Sequence, residues 1–319
     1  MAWVETDSLS FTARHDDADT GCAQRILDRL EDLRLRLEER FPEAPGDVTV
    51  VVHDNPAWLS AAHPLLPAVR WSAAPAGRRY LAGWPMAGEI HVLNDYWTER
   101  RSAGDDSLSA LRGTAERMYC QLVLAANNDR LPPMWTPRRF LTYLRWAWLI
   151  EGAAQYFTGQ TSLFRAAVIT RLREGERPRF PPTRRDAVIL GGTIFDLLDR
   201  NAGAEACAVL VARLRREGPG SNLALAFEAR LSEIERAWRE QLDEIVYRQS
   251  ERLDAPSLSE ALNRSSPLRL REELDLPTPP ELDLGTPPEF FDNGDSAGGL
   301  VEEPDQSSGE QNRRQEPRR

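Results

Sequence analysis

The sequence predicts an α/β domain over residues 1–250, with a small mixed sheet in 1–100 and a helical half in 101–250, followed by a disordered tail over 256–319. Three observations carry that prediction. Val48 to His53 is a β-branched run of strand length, as a buried strand requires. Apolar residues recur at helical spacing in two long segments: Cys22, Ile26, Leu30, Leu33 and Leu37, then Leu231, Ile234, Trp238, Leu242 and Ile245. Beyond Pro256 this periodicity stops, and Pro, Ser, Gly, Asp and Glu dominate, a composition that buries too little apolar surface to fold.

Taken in order, Ser8 to Arg14 alternates Leu9, Phe11 and Ala13 with polar residues and reads as a strand. Asp16 to Arg40 reads as the first helix, stopped by Pro42 and Pro45-Gly46. After the strand Val48 to His53, Asn55 opens a short helix that ends at Ala62, and a Pro-rich loop runs to Gly77. Arg79 to Trp84 and Glu89 to Leu93 read as two more strands. The second is expected at the sheet edge, with Ile90 and Val92 on one face and Glu89 and His91 on the other. Helices are expected over Thr161 to Glu174, Ile194 to Arg200, Ala204 to Arg216 and Asn222 to Ser250, with a Pro and Arg loop over 177–185.

Composition excludes several classes. The net charge is −10, which does not suggest a nucleic-acid surface. Every basic residue is arginine, which reads as compositional bias of a GC-rich bacterial genome. No stretch is apolar and long enough to span a bilayer, and the N-terminus has neither a basic nor an apolar signal region. Cys22, Cys120 and Cys207 are far apart and odd in number, the pattern of reduced thiols, so a cytoplasmic protein is expected. Neither a nucleic acid nor a membrane is expected as partner, and no cofactor is expected.

The most informative stretch is Leu108 to Phe157, expected as two helices. In the first, Ser107 is the expected N-cap and Leu108, Leu111, Met118 and Leu122 recur at helical spacing. The second runs from about Arg138, and Glu151 is its only acid. A carboxylate in so apolar a helix needs a counter-charge, a metal or several donors. Leu131 to Pro137 reads as a loop between the two.

Trp148-Leu149-Ile150-Glu151-Gly152-Ala153-Ala154-Gln155-Tyr156 resembles the glutamate helix of the gluzincin metallopeptidases, in particular the peptidase MA-like family, whose pattern there is Trp-Leu-x-Glu-Gly-x-Ala-x-Tyr. The resemblance implies a zincin-like fold over roughly Ser8 to Ser250. It also implies a metal site in which that Glu is the third zinc ligand and His-Glu-x-x-His on the preceding helix supplies the other two ligands and the general base. The matching segment here is Ala115-Glu116-Arg117-Met118-Tyr119. Glu151 would then be a vestigial ligand and Glu116 a vestigial base, with Ala115 and Tyr119 at the lost histidine positions. Alanine has no donor atom and a phenol is a poor zinc ligand at neutral pH, so the resemblance argues against the family's activity. Tyr119 is expected to donate a hydrogen bond to Glu151.

The expected function is that of a catalytically inactive pseudo-metallopeptidase that binds a polypeptide, in the cleft or on the tail. One alternative is a hydrolase using Glu116 and Glu151 with Mg²⁺, Mn²⁺ or no metal. Another is a scaffold that works through its tail, where Glu273 to Pro280 is followed at once by the near-copy Glu281 to Pro288. His15, His53, His63 and His91 have no helical ligand spacing, and only His91 is placed to reach the cleft. Cys120 has no histidine near it in sequence, which weighs against a nucleophile.

Overall fold

The computed structural model describes residues 3–63, 65–131 and 137–254. The tail, its tandem octapeptide and most of the 131–137 loop lie outside them. The described residues form a mixed α/β structure, mostly helical, with a single five-stranded sheet in its first hundred residues.

The sheet is built from β1 (Trp3–Asp7), β2 (Phe11–Asp16), β3 (Val48–His53), β4 (Gly83–Met86) and β5 (Glu89–Leu93), in the order β1-β2-β3-β5-β4. β2, β3 and β5 run parallel; β1 and β4 are antiparallel to their neighbours. The edges are therefore β1 and β4, and the expectation that β5 lies at the edge is wrong. The hairpin through Gly88 folds β4 back outside β5. Nor is β4 an open edge, since Gly83, Trp84 and Pro85 are buried.

Helix α1 (Thr20–Glu38) lays its predicted stripe, Cys22 to Leu37, on the sheet. Asn55 caps α2 (Pro56–Ala62) by accepting from the Ala57 amide. The stretch expected as loop instead holds α3 (Leu66–Ser72) and a 3-10 turn, Pro75–Tyr80. Prolines at their N-terminal turns do not interrupt them, because the first N–H groups of a helix have no internal partner in any case. Asn94 caps α4 (Asp95–Arg101), which periodicity alone did not reveal.

The first long helix of the Leu108 to Phe157 stretch is two helices, α5 (Asp105–Arg112) and α6 (Thr114–Ala126). They part at Gly113, whose carbonyl accepts from Gln160 Nε2 at 2.9 Å and whose missing Cβ leaves room for that amide. Ser107 lies inside α5, so it is not the cap. α1 and α6 cover the sheet face that carries Val92, where Ile26, Arg29, Thr114 and Ala115 meet β5.

The helical half comprises α7 (Pro137–Phe157), α8 (Arg165–Arg173), α9 (Ala187–Ala212), α10 (Pro219–Ala226) and α11 (Leu231–Asp254). α9 is interrupted at Gly203, which has φ +83°. α7 and α9 make the closest crossing, for a Cβ on Gly152 would stand 2.4 Å from the Gly191 backbone. Gln155 Nε2 adds a bond to the Val188 carbonyl across it.

Candidate functional site

Most residues of the Trp148 to Tyr156 motif serve that crossing. Trp148, Leu149, Ala153 and Ala154 are buried, and Gly152 is the contact with Gly191. Glu151 is the exception. It is 4% exposed, and its Oε1 accepts from the Tyr143 hydroxyl at 2.8 Å, two turns earlier on α7. Burial pushes its carboxyl pKa up, against the lowering effect of Tyr143, the Arg117 charge and the Gln121 amide. The Gln121 amide lies beside the carboxyl without forming a hydrogen bond of normal geometry.

The α6 side chains that act on Glu151 are thus Arg117 and Gln121, four residues apart and on one helix face. Ala115 and Tyr119 lie two residues before each of them. Two residues on a helix are about 200° of rotation, so that pair looks nearly the opposite way. Ala115 sits among Ile26, Arg29 and Leu93. The Tyr119 hydroxyl donates to the Pro45 carbonyl at 2.9 Å, and its ring meets Phe11 edge-on at 5.0 Å. The expected bond from Tyr119 to Glu151 is therefore absent.

Glu116 is turned to α1, where its Oε1 pairs with Arg29 Nε at 2.8 Å. Burial raises its pKa, and Arg29 opposes that. Glu116 and Glu151 share no direct contact; the Arg117 charge between them is felt by both. That guanidinium is fully buried. It donates to the Ala110 carbonyl and to Gln160 Oε1, and it lies 5.2 Å from the Phe164 ring centroid.

A zinc ion does not fit these residues. Of the side chains around Glu151, a phenol, an amide and a guanidinium offer no imidazole or thiolate, and the guanidinium is itself a cation. Among the described residues, no group of three or more His, Cys, Asp or Glu is arranged to hold a metal. The arrangement holds a buried carboxyl. Cys120 is fully buried and its thiol pKa is pushed up, so it is not a thiolate nucleophile.

A second cluster went unrecognised in the sequence. His53 Nε2 and His91 Nδ1 share a hydrogen bond of 2.9 Å, and the two rings stack at 5.2 Å. His63 packs its ring on Trp84 at 4.6 Å and feels the His91 charge. Burial drives His53 and His63 down to about 4, and it lowers His91 against the pull of Glu89. The signal was strand alternation. Val51 pairs with His91, so His53 falls on the same sheet face, diagonal to it. His91 is buried in this group, on an inner strand. His15 is buried, bonded to Thr6 and the Asp16 carbonyl.

No helix among the described residues is long and apolar enough to cross a membrane. Comparison with protein-family models, curated proteins and solved structures finds no match.

Proposed function

We propose that the chain is a non-catalytic, zincin-like protein of the peptidase MA-like kind, a pseudo-metallopeptidase that binds a polypeptide and does not cleave it. The observation that carries this reading is the face α6 turns towards Glu151. Arg117 and Gln121 have the four-residue spacing that two zinc-binding histidines need, and they stand opposite the one acid of the glutamate-helix motif. On this registration the lost ligands are Arg117 and Gln121, two residues beyond Ala115 and Tyr119. Met118 stands where the base would be, and Glu116 becomes the structural partner of Arg29.

A carboxylate left without its metal must find donors or a counter-charge. Tyr143 supplies a donor and Arg117 the counter-charge, with the Gln121 amide beside them. Binding remains as the role for such a fold. The buried β4 is closed to an added strand, whereas β1 pairs only with β2 and alternates exposed residues, so strand addition at β1 is the mode available.

The test is zinc analysis of the purified chain, a peptide-cleavage assay and the double substitution Arg117→His with Gln121→His. The parent should hold no stoichiometric zinc and cleave nothing. The double variant should take up zinc using Glu151, whereas Ala115→His with Tyr119→His should not. Zinc near one equivalent in the parent, or cleavage, would overturn the non-catalytic reading. A folded double variant with no gain in zinc affinity would overturn the registration.

A further inference from the structure

We infer that the chain carries a binding site for a small anion with two or more phosphate groups, where Asp129 and Arg130 after α6, the Arg139 to Trp146 turns of α7, and Arg215 and Arg216 between α9 and α10 come together. Five exposed arginines, Arg130, Arg139, Arg145, Arg215 and Arg216, line a cavity of about 480 Å³ there, and Asp129 is the one acid among its described lining residues. This runs against the composition, for acids outnumber arginines 50 to 40 in the chain.

Elsewhere on the surface several arginines pair with carboxylates, among them Arg14 with Glu5, Arg112 with Glu99 and Arg230 with Glu233. Among the described residues no carboxylate pairs with Arg130, Arg145, Arg215 or Arg216. Instead, the first two are fixed by neutral acceptors. Arg130 Nη1 donates to the Leu214 carbonyl at 2.8 Å, and Arg145 Nη2 donates to the Arg216 carbonyl at 3.3 Å. Asn128 ties the same segments through the Val211 carbonyl. Gly218, at φ +123°, lies so close to the Arg145 guanidinium that a Cβ would come within 2.9 Å of it. These bonds orient the guanidiniums without neutralising them.

Like charges held together in this way favour an anion that carries several charges in a small volume. The planar guanidinium fork matches phosphate oxygens in pairs, and several forks around one cavity suit an oligophosphate better than a single carboxylate. The phosphates could be free or those of a nucleotide; the chemistry recognised is the same.

The experiment is calorimetric titration of the full chain with inorganic tripolyphosphate, a nucleoside triphosphate and citrate. The expected result is one saturable site for tripolyphosphate that weakens as salt rises. Arg215→Gln with Arg216→Gln is the principal variant, because those side chains make no bond within the fold among the described residues. It should weaken binding by roughly tenfold or more, whereas Arg36→Gln, on α1, should leave it unchanged. Equal affinity for the nucleotide would assign its phosphates as the source, and weaker binding would assign free oligophosphate. No saturable binding, binding unchanged in the double variant, or citrate binding as tightly would each overturn the inference.

Discussion

Acidification should destabilise this domain through His53 and His63, and the size of the effect follows from their burial. Both imidazoles are held neutral in the fold at about 4, against an ordinary value of 6.5. The unfolded chain therefore binds more protons between pH 6.5 and 4, so stability is present above pH 6.5 and is lost as pH falls towards 4. For each histidine the loss is about 1.4 kcal/mol at pH 5.5 and about 2.5 kcal/mol at pH 4.5. Both feel His91, so the pair loses less than twice that. Geometry points the same way: one nitrogen of the His53–His91 bond must lack a proton, and a second proton would set two N–H groups against each other at 2.9 Å. Glu116 and Glu151, whose pKa values are raised, work in the opposite sense, gaining stability as pH falls from those raised values towards 4.5. Comparison with His53→Gln cancels their contribution. Urea unfolding at pH 7.0, 5.5 and 4.5 should show the parent losing about 2.5 kcal/mol more than the variant across that range. Parallel pH profiles for the two proteins would refute the reasoning.

Three further outcomes are expected, each read by chemical or thermal unfolding. Tyr143→Phe removes the hydroxyl that bonds Glu151 and should cost about 1–3 kcal/mol, whereas Tyr119→Phe should leave the Glu151 titration untouched. Gly152→Ala forces a methyl into the Gly191 backbone and should cost about 3 kcal/mol or prevent folding; a neutral result would mean that α7 and α9 can separate freely. Asp186→Asn takes from the buried Arg171 its close carboxylate at 2.5 and 3.2 Å, leaving Glu174 at 4.0 Å, and should cost about 3 kcal/mol.

Much of the fold was legible in the sequence because burial leaves a periodic trace. The α1 stripe, the strands Val48–His53 and Glu89–Leu93, the Asn55 cap and the α11 stripe all followed from spacing and capping chemistry. β1 did not, because an edge strand with one exposed and one half-buried face, and Trp3 on the exposed one, carries no apolar alternation. The prolines around α3 and the 3-10 turn masked short helices whose ends tolerate them.

The sequence by itself determined that Glu151 is a lone acid in an apolar helix that must be satisfied by something, and that a helix precedes it. Only the tertiary structure decided which side of α6 meets it. Every residue from Thr114 to Ala125 is buried, so α6 has no solvent face and its hydrophobic pattern does not indicate its rotation. Glu116 suggested one registration by its identity alone. Packing against α1 on one side and α7 on the other turns Glu116 to Arg29 and brings the Arg117 charge and the Gln121 amide to Glu151. The same holds for His53, His63 and His91: each is visible as a residue, but their meeting depends on the parallel register of β3 with β5 and on a helix packed beside them, and long-range pairing leaves no trace at any one position.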